Sequence, residues 1–175
     1  MPHPMTDAVP IVLAPTGMVP TRAMTPHVPL TPQEIAADVK ACAALGITSV
    51  HLHARDDNGD PTWKRETFAR LVGAVREAAP EVLINVTTSG RDWSEIEKRA
   101  DALALDGDLK PDLASLTLSS LNFLQSASMN APDVVAGLAR IMAERGIVPE
   151  LEIFDFGMIN VAQAMRAKGQ LPAPL

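Results

Sequence analysis

Apolar positions along this chain fall into short runs and helical stripes that alternate from one end to the other. Val9 to Ala14 is a short apolar run closed by Pro15, which reads as a first strand, followed by the loop Thr16-Gly-Met-Val-Pro-Thr-Arg22. Thr31-Pro-Gln-Glu34 carries a helix-start pattern, with Thr as N-cap, Pro at the first helical position and Glu three residues on. That helix is expected to run to about Leu45 and stop at Gly46. Ile47, Val50 and Leu52 then mark a second strand. Phe68, Leu71, Val72 and Val75 recur at helical spacing until Pro80, and Val82 to Val86 reads as a third strand.

The alternation continues. Ser94 is the expected cap of a helix through about Leu105, and Leu113 to Leu118 is a fourth strand. Asn130 precedes a helix begun by Pro132, whose stripe of Val135, Leu138, Ile141 and Met142 ends at Gly146. A fifth strand from Val148 to Phe154 precedes a last helix from about Met158 to Ala167. Strand starts recur at roughly 31–38 residues, the length of a strand plus a crossover helix, so the sheet should be parallel. Five such units suit an open doubly wound sheet or five-eighths of a (β/α)8 barrel. Periodicity alone does not choose between them.

Composition narrows the partners. At 175 residues, one βα-repeat domain spanning 1–175 is expected, and 47% hydrophobic against 21% charged residues is a globular balance. A net charge of −6, no Tyr and 3% aromatics argue against nucleic acid. No apolar run approaches the roughly 18–20 residues of a membrane span, so no membrane partner is expected and a cytoplasmic location is the default. The single Cys42 excludes an internal disulfide and reads as a small core residue of the first helix.

Candidate chemistry collects at strand C-terminal ends. His51 and His53 are two residues apart on the second strand, so their imidazoles point the same way and can converge on a metal. Two polar residues on a half-exposed strand give the same pattern. Thr87-Thr-Ser-Gly90 leaves the third strand, and its hydroxyls and backbone N–H groups can form an anion site or an ordinary turn. Glu150 and Glu152 alternate with Leu151 and Ile153, so both should face inward, where a carboxylate needs a partner. Glu152, nearer the strand's C-terminal end, is the stronger site candidate, and Glu150 the one satisfied structurally.

Four stretches together resemble a known family. They are Pro15-Thr-Gly-Met-Val-Pro-Thr-Arg22, His51-Leu-His-Ala-Arg-Asp56, Pro111-Asp-Leu-Ala-Ser-Leu-Thr-Leu-Ser-Ser-Leu-Asn-Phe123 and Pro149-Glu-Leu-Glu-Ile-Phe-Asp-Phe-Gly-Met158. In order and in register, they look like the beta-keto acid cleavage enzymes, the family of 3-keto-5-aminohexanoate cleavage enzyme. The resemblance implies a (β/α)8 TIM barrel, here its first five βα units, in a homo-oligomer that binds zinc. It implies the conversion of a β-keto acid and acetyl-CoA into acetoacetate and a new acyl-CoA. Carried over by position, His51 and His53 match two zinc ligands. Thr87, with Thr88, Ser89 and Gly90, matches the substrate-holding loop, Ser115 a substrate-lining hydroxyl, and Glu152 a catalytic glutamate beside the substrate.

Two departures qualify the expectation. Val19 stands where the founding activity has a glutamate for an amino group, so substrates without one are expected. The family's third zinc ligand, its Asp base and an Arg come from later strands, and no Asp or Glu follows Asp155 here. Three readings therefore stand: an acyltransferase completed by a partner chain, a truncated and inactive relative, or a partial barrel that retains only weak metal or carboxylate binding.

Overall fold

The computed structural model describes residues 9–172. The strands β1 (Val12–Leu13), β2 (Ser49–Leu52), β3 (Leu83–Val86), β4 (Leu113–Thr117) and β7 (Val148–Glu152) form one parallel sheet in the order β1-β2-β3-β4-β7. The order follows the chain without a reversal. A doubly wound sheet turns back at a switch point, whereas a barrel adds each strand beside the last, so the fold is five units of a (β/α)8 architecture. Between β4 and β7 lies a two-stranded antiparallel ribbon, β5 (Leu121–Asn122) with β6 (Ala127–Ser128), which the hydrophobic pattern does not announce.

The helices α1 (Pro32–Ala43), α2 (Arg65–Ala78), α4 (Pro132–Arg145) and α5 (Phe156–Ala167) match the expected ones to within a turn. The capping box of α1 is formed in both directions: Glu34 N donates to Thr31 Oγ1 at 3.3 Å, and Thr31 N donates to Glu34 Oε2 at 3.0 Å. Arg22 also clasps Glu34, which holds that carboxyl down at about 2, with the Thr31 and Leu30 amides adding to the effect. The loop after β1 is thereby fastened to the head of α1. Gly146 ends α4 with φ 63°, the left-handed cap expected of a glycine there. Among the described residues, no helix is long and apolar enough to cross a membrane.

The helix expected from Ser94 to Leu105 is the main correction. Only α3 (Ile96–Arg99) is α-helical, and a 3-10 turn over Asp101–Ala104 follows it. Glu95 rather than Ser94 is the N-cap, and it makes no side-chain cap bond. Arg99, Ala102 and Leu103 are all buried, and the chain tightens between them where Arg99 turns to the Thr88 and Met129 carbonyls. β1 is likewise shorter than Val9 to Ala14, because Pro10 and Pro15 flank it and proline donates no ladder bond.

The two faces of the sheet differ in kind. Toward the helices, Val50, Leu52, Ile84, Val86, Ala114 and Leu116 are all fully buried. They pack on Phe68, Leu71, Val72 and Val75 of α2 and on Leu138 and Met142 of α4, within one apolar core. Each such large side chain contributes roughly 1.5–3 kcal/mol by leaving water. The opposite face is polar, because the register aligns His51 with Asn85, Ser115 with Glu150, and Thr117 with Glu152. The inside of a (β/α)8 barrel is ordinarily filled with branched apolar side chains, so this polar face marks the site.

Candidate active site

His51 and His53 leave β2 on that face and converge. Their Nε2 atoms are 3.0 Å apart, with ring centroids at 4.8 Å. Two imidazoles sharing a tetrahedral ion at about 2.0–2.1 Å would have their nitrogens roughly 3.3–3.4 Å apart, so the observed pair needs little movement to hold one. The other edge of His51 faces Glu150, with Nδ1 3.7 Å from Oε2, a distance for charge attraction rather than a hydrogen bond. Glu150 also accepts from the Asn85 side-chain amide. Its carboxyl is held below the usual range by His51 first and by Asn85, against the opposing effect of burial. A carboxylate on Nδ1 favours the tautomer that leaves Nε2 free as an acceptor.

His53 is pushed down to about 3, mainly by burial and then by the charges of His51, Arg55 and Arg91. It is therefore neutral, the form that binds metals, and its buried Nδ1 has no hydrogen-bond partner. Among the described residues, no group of three or more His, Cys, Asp or Glu side chains forms a candidate metal site. The residues present fit two ligands of an ion, with Glu150 supporting one of them.

Above the imidazoles lies a cavity of about 270 Å³, lined by Met18, Thr87, Ser89, Arg91, Glu152 and Phe154 among others. Thr87 Oγ1 accepts from Ser89 N at 3.1 Å, and Ser89 Oγ accepts from Arg91 N at 3.3 Å. Both hydroxyls keep a hydrogen to donate into the cavity. Glu152 accepts from the Thr117 hydroxyl through Oε2. Thr88 and Ser115 stand one layer back and hold each other: Thr88 N donates to Ser115 Oγ at 3.1 Å, and Thr88 Oγ1 donates to Ser115 O at 2.5 Å. Gly90 is a close-approach residue, since a Cβ there would lie 2.1 Å from Met129 O. His51, His53, Thr87, Ser89 and Glu152 thus share one cavity, while Thr88, Ser115 and Gly90 fix the loop that forms its wall.

Several residues of the site carried no signal strong enough to select them. Arg99 is buried behind the loop and donates to Thr88 O at 2.7 Å, Met129 O at 2.9 Å and Asn130 Oδ1 at 2.7 Å. Its burial lowers it to about 10, with Glu152 acting in the opposite direction. Arg55 donates to Gly17 O at 2.9 Å and Pro20 O at 3.0 Å, pinning the first loop so that Met18 reaches the cavity. Val19 on the same loop is half exposed. A lone Asn in the apolar strand Leu83–Val86 was the one visible clue to the support of Glu150.

The family model for beta-keto acid cleavage enzymes matches residues 8–175. The 3-oxoadipate:acetyl-CoA acetyltransferase of Cupriavidus necator is 37% identical over 98% of this chain and 58% of its own length. A 3-keto-5-aminohexanoate cleavage enzyme of Fusobacterium nucleatum is 31% identical over 98% of this chain and 62% of its own. The chain thus spans about three fifths of the length of these curated relatives. The apo structure of ObcA superposes with a TM-score of 0.74 at 22% identity, covering 83% of this chain and 34% of that one, a likeness of fold. On the match from residue 8 onward and the identity to these relatives, the chain belongs to the beta-keto acid cleavage enzyme family.

Proposed function

We propose that this chain carries the keto-acid half of a β-keto acid cleavage site, which with acetyl-CoA as co-substrate gives acetoacetate and a new acyl-CoA. The observation that carries the reading is the His51 and His53 pair, Nε2 to Nε2 at 3.0 Å, facing a cavity that also holds Thr87, Ser89 and Glu152. His51 and His53 would hold zinc, which when bound supplies Lewis acidity toward the ketone oxygen. The Thr87 and Ser89 hydroxyls donate to the substrate carboxylate and set its orientation. Glu152, fixed through Oε2 by Thr117, presents Oε1 to accept a substrate proton. Thr88, Ser115 and Gly90 keep the loop in place. The walls of the remaining barrel units, from this or another polypeptide, would complete the metal shell and bring further copies into a homo-oligomer.

The test is a chimera joining residues 1–175 to the C-terminal two fifths of the C. necator relative. With zinc, a β-keto acid and labelled acetyl-CoA, it should form labelled acetoacetate. A folded, zinc-loaded chimera that forms none contradicts the proposal. A second reading, metal and carboxylate binding without turnover, draws on the presence of two ligands rather than three among the described residues. The same inactive chimera would favour it.

A further inference from the structure

Behind His53 lies a second, smaller space. It is a cavity of about 20 Å³, which shares His53, Met18, Thr87 and Ser89 with the larger one but is not lined by His51. The His53 ring is thus part of the partition, with Nε2 turned to His51 and Nδ1 on the side of the ring away from that contact. That Nδ1 is buried and meets no hydrogen-bonding group among the described residues. The other buried side-chain atoms in that condition, on Arg55, Asn85, Arg91 and Arg145, belong to residues that do not line this cavity. About 10–15 Å³ is enough for one water, provided that it finds two or more polar partners. Besides His53, the hydroxyl residues Thr62, Thr87 and Ser89 border the space. The Thr62 hydroxyl accepts from Lys64 N at 3.3 Å and keeps its hydrogen to donate.

We infer that this cavity holds one buried water bound to His53 Nδ1, and that the water lets the ring change tautomer when Nε2 takes up a metal ion. The second half rests on the proposed function, which makes His53 a ligand, and the first half does not. A neutral imidazole carries one N–H. Glu150 draws the His51 proton to Nδ1, so the 3.0 Å contact between the two Nε2 atoms needs the His53 proton on Nε2, and His53 Nδ1 is then an acceptor. An ion between the rings needs both Nε2 atoms bare, so the His53 proton must move to Nδ1, which becomes a donor. A carbonyl or an amide N–H fixed beside Nδ1 would suit one of these states and oppose the other. A water suits both by turning. The proton count of the pair does not change. The proton that leaves Nε2 is replaced on Nδ1 through the water, and Thr87 and Ser89, which border both cavities, join the two sides.

The experiment pairs a crystal structure of the zinc-free 175-residue chain, at a resolution that shows ordered water, with ring-nitrogen NMR spectra of the histidine-labelled chain before and after zinc. One water should lie about 2.7–3.2 Å from His53 Nδ1 and within reach of a Thr62, Thr87 or Ser89 hydroxyl. The His53 proton should be on Nε2 without zinc and on Nδ1 with it. A dry cavity, or a protein group bonded to Nδ1, overturns the water, and a proton on the same nitrogen in both states overturns the switch. Ala102→Val, whose added methyl groups enter the cavity, should displace the water and weaken zinc binding roughly ten- to a hundredfold, the usual cost of losing a ligand's support, with Nδ1 then unbonded in the spectrum. Unchanged zinc affinity, or a loss with Nδ1 still hydrogen-bonded, contradicts the water's role. If this variant does not fold, the wild-type structure and spectra decide. If wild type binds no zinc, the metal of the proposed function fails and the switch with it, while the water is judged on the crystal structure alone.

Discussion

The cavity has one wall on β2 and the loop that follows β3 and another on β7 and Phe154 just after it, and the two are held in different ways. On the first, each group is fixed from behind: Asn85 and Glu150 sit behind His51, while Arg99, Ser115 and Met129 O sit behind the loop. Its strands have neighbours on both sides. On the second, β7 is the last strand of its sheet, and Val148, Phe154 and Phe156 are 47%, 55% and 88% exposed. A sheet edge with apolar residues beside it is a surface that pairs with further protein. The difference separates a wall that is organised by this stretch alone from one that depends on what packs against it. Metal ligands belong on the first kind, because positions good to a fraction of an ångström need support from behind.

Gly90→Ala should break the first wall most severely. The new methyl would lie 2.1 Å from Met129 O and 2.8 Å from Arg99 Nη1, so backbone must move, at roughly 3 kcal/mol or more of stability by denaturant unfolding. Gly137→Ala is the control: its Cβ meets only the flexible end of Ile96, at 2.5 Å, and the change should stay within about 1 kcal/mol of neutral. Equal effects would mean that the close approach at Gly90 does not matter.

Arg99→Met should cost roughly 2–4 kcal/mol, because it leaves the Thr88 and Met129 carbonyls and the Asn130 side-chain oxygen without a donor. It should also loosen the loop, seen as faster amide exchange at Thr88 and Ser89. A loss of stability with unchanged exchange there would show that Arg99 supports the core but not the site.

Glu34→Gln tests the tie between the first loop and α1. Being folded lowers this carboxyl to about 2 from 4.5, so the stabilisation is present above pH 4.5 and fades as pH falls toward 2. The pair is half exposed, so the difference between wild type and variant should stay below about 1 kcal/mol at pH 7 and shrink on acidification. A difference that grows with acid has the wrong sign for this account.

On the second wall, Phe156→Ser should leave stability within about 0.5 kcal/mol, as expected of an exposed side chain. Its effect should appear in sedimentation velocity, as less concentration-dependent association than wild type shows. Unchanged association would remove Phe156 from any contact between copies.

Most of the architecture was legible because its signals are local. The Thr31-Pro-Gln-Glu34 cap, the Gly146 stop and the period of strand starts each depend on neighbouring residues, and all are present. The convergence of His51 with His53 followed from strand alternation alone. What escaped was nonlocal. The segment after Ser94 has helical composition, but Arg99 is drawn to carbonyls some 11 and 30 residues distant in sequence, and the helix gives way to a 3-10 turn. Phe123, brought back by the β5–β6 ribbon, lies beneath Arg91, a pairing of residues distant in sequence that no local pattern announces. The choice between barrel and open sheet also waited on strand order, which no single unit encodes.

The central claim is that the first wall holds a metal through His51 and His53, and zinc content measured with a competing chelator tests it most directly. The purified 175-residue chain should bind one zinc per chain, more weakly than a site with three protein ligands, and H51A/H53A should lose it by a hundredfold or more in affinity, about 2.7 kcal/mol. Equal zinc in wild type and the double variant would contradict the account.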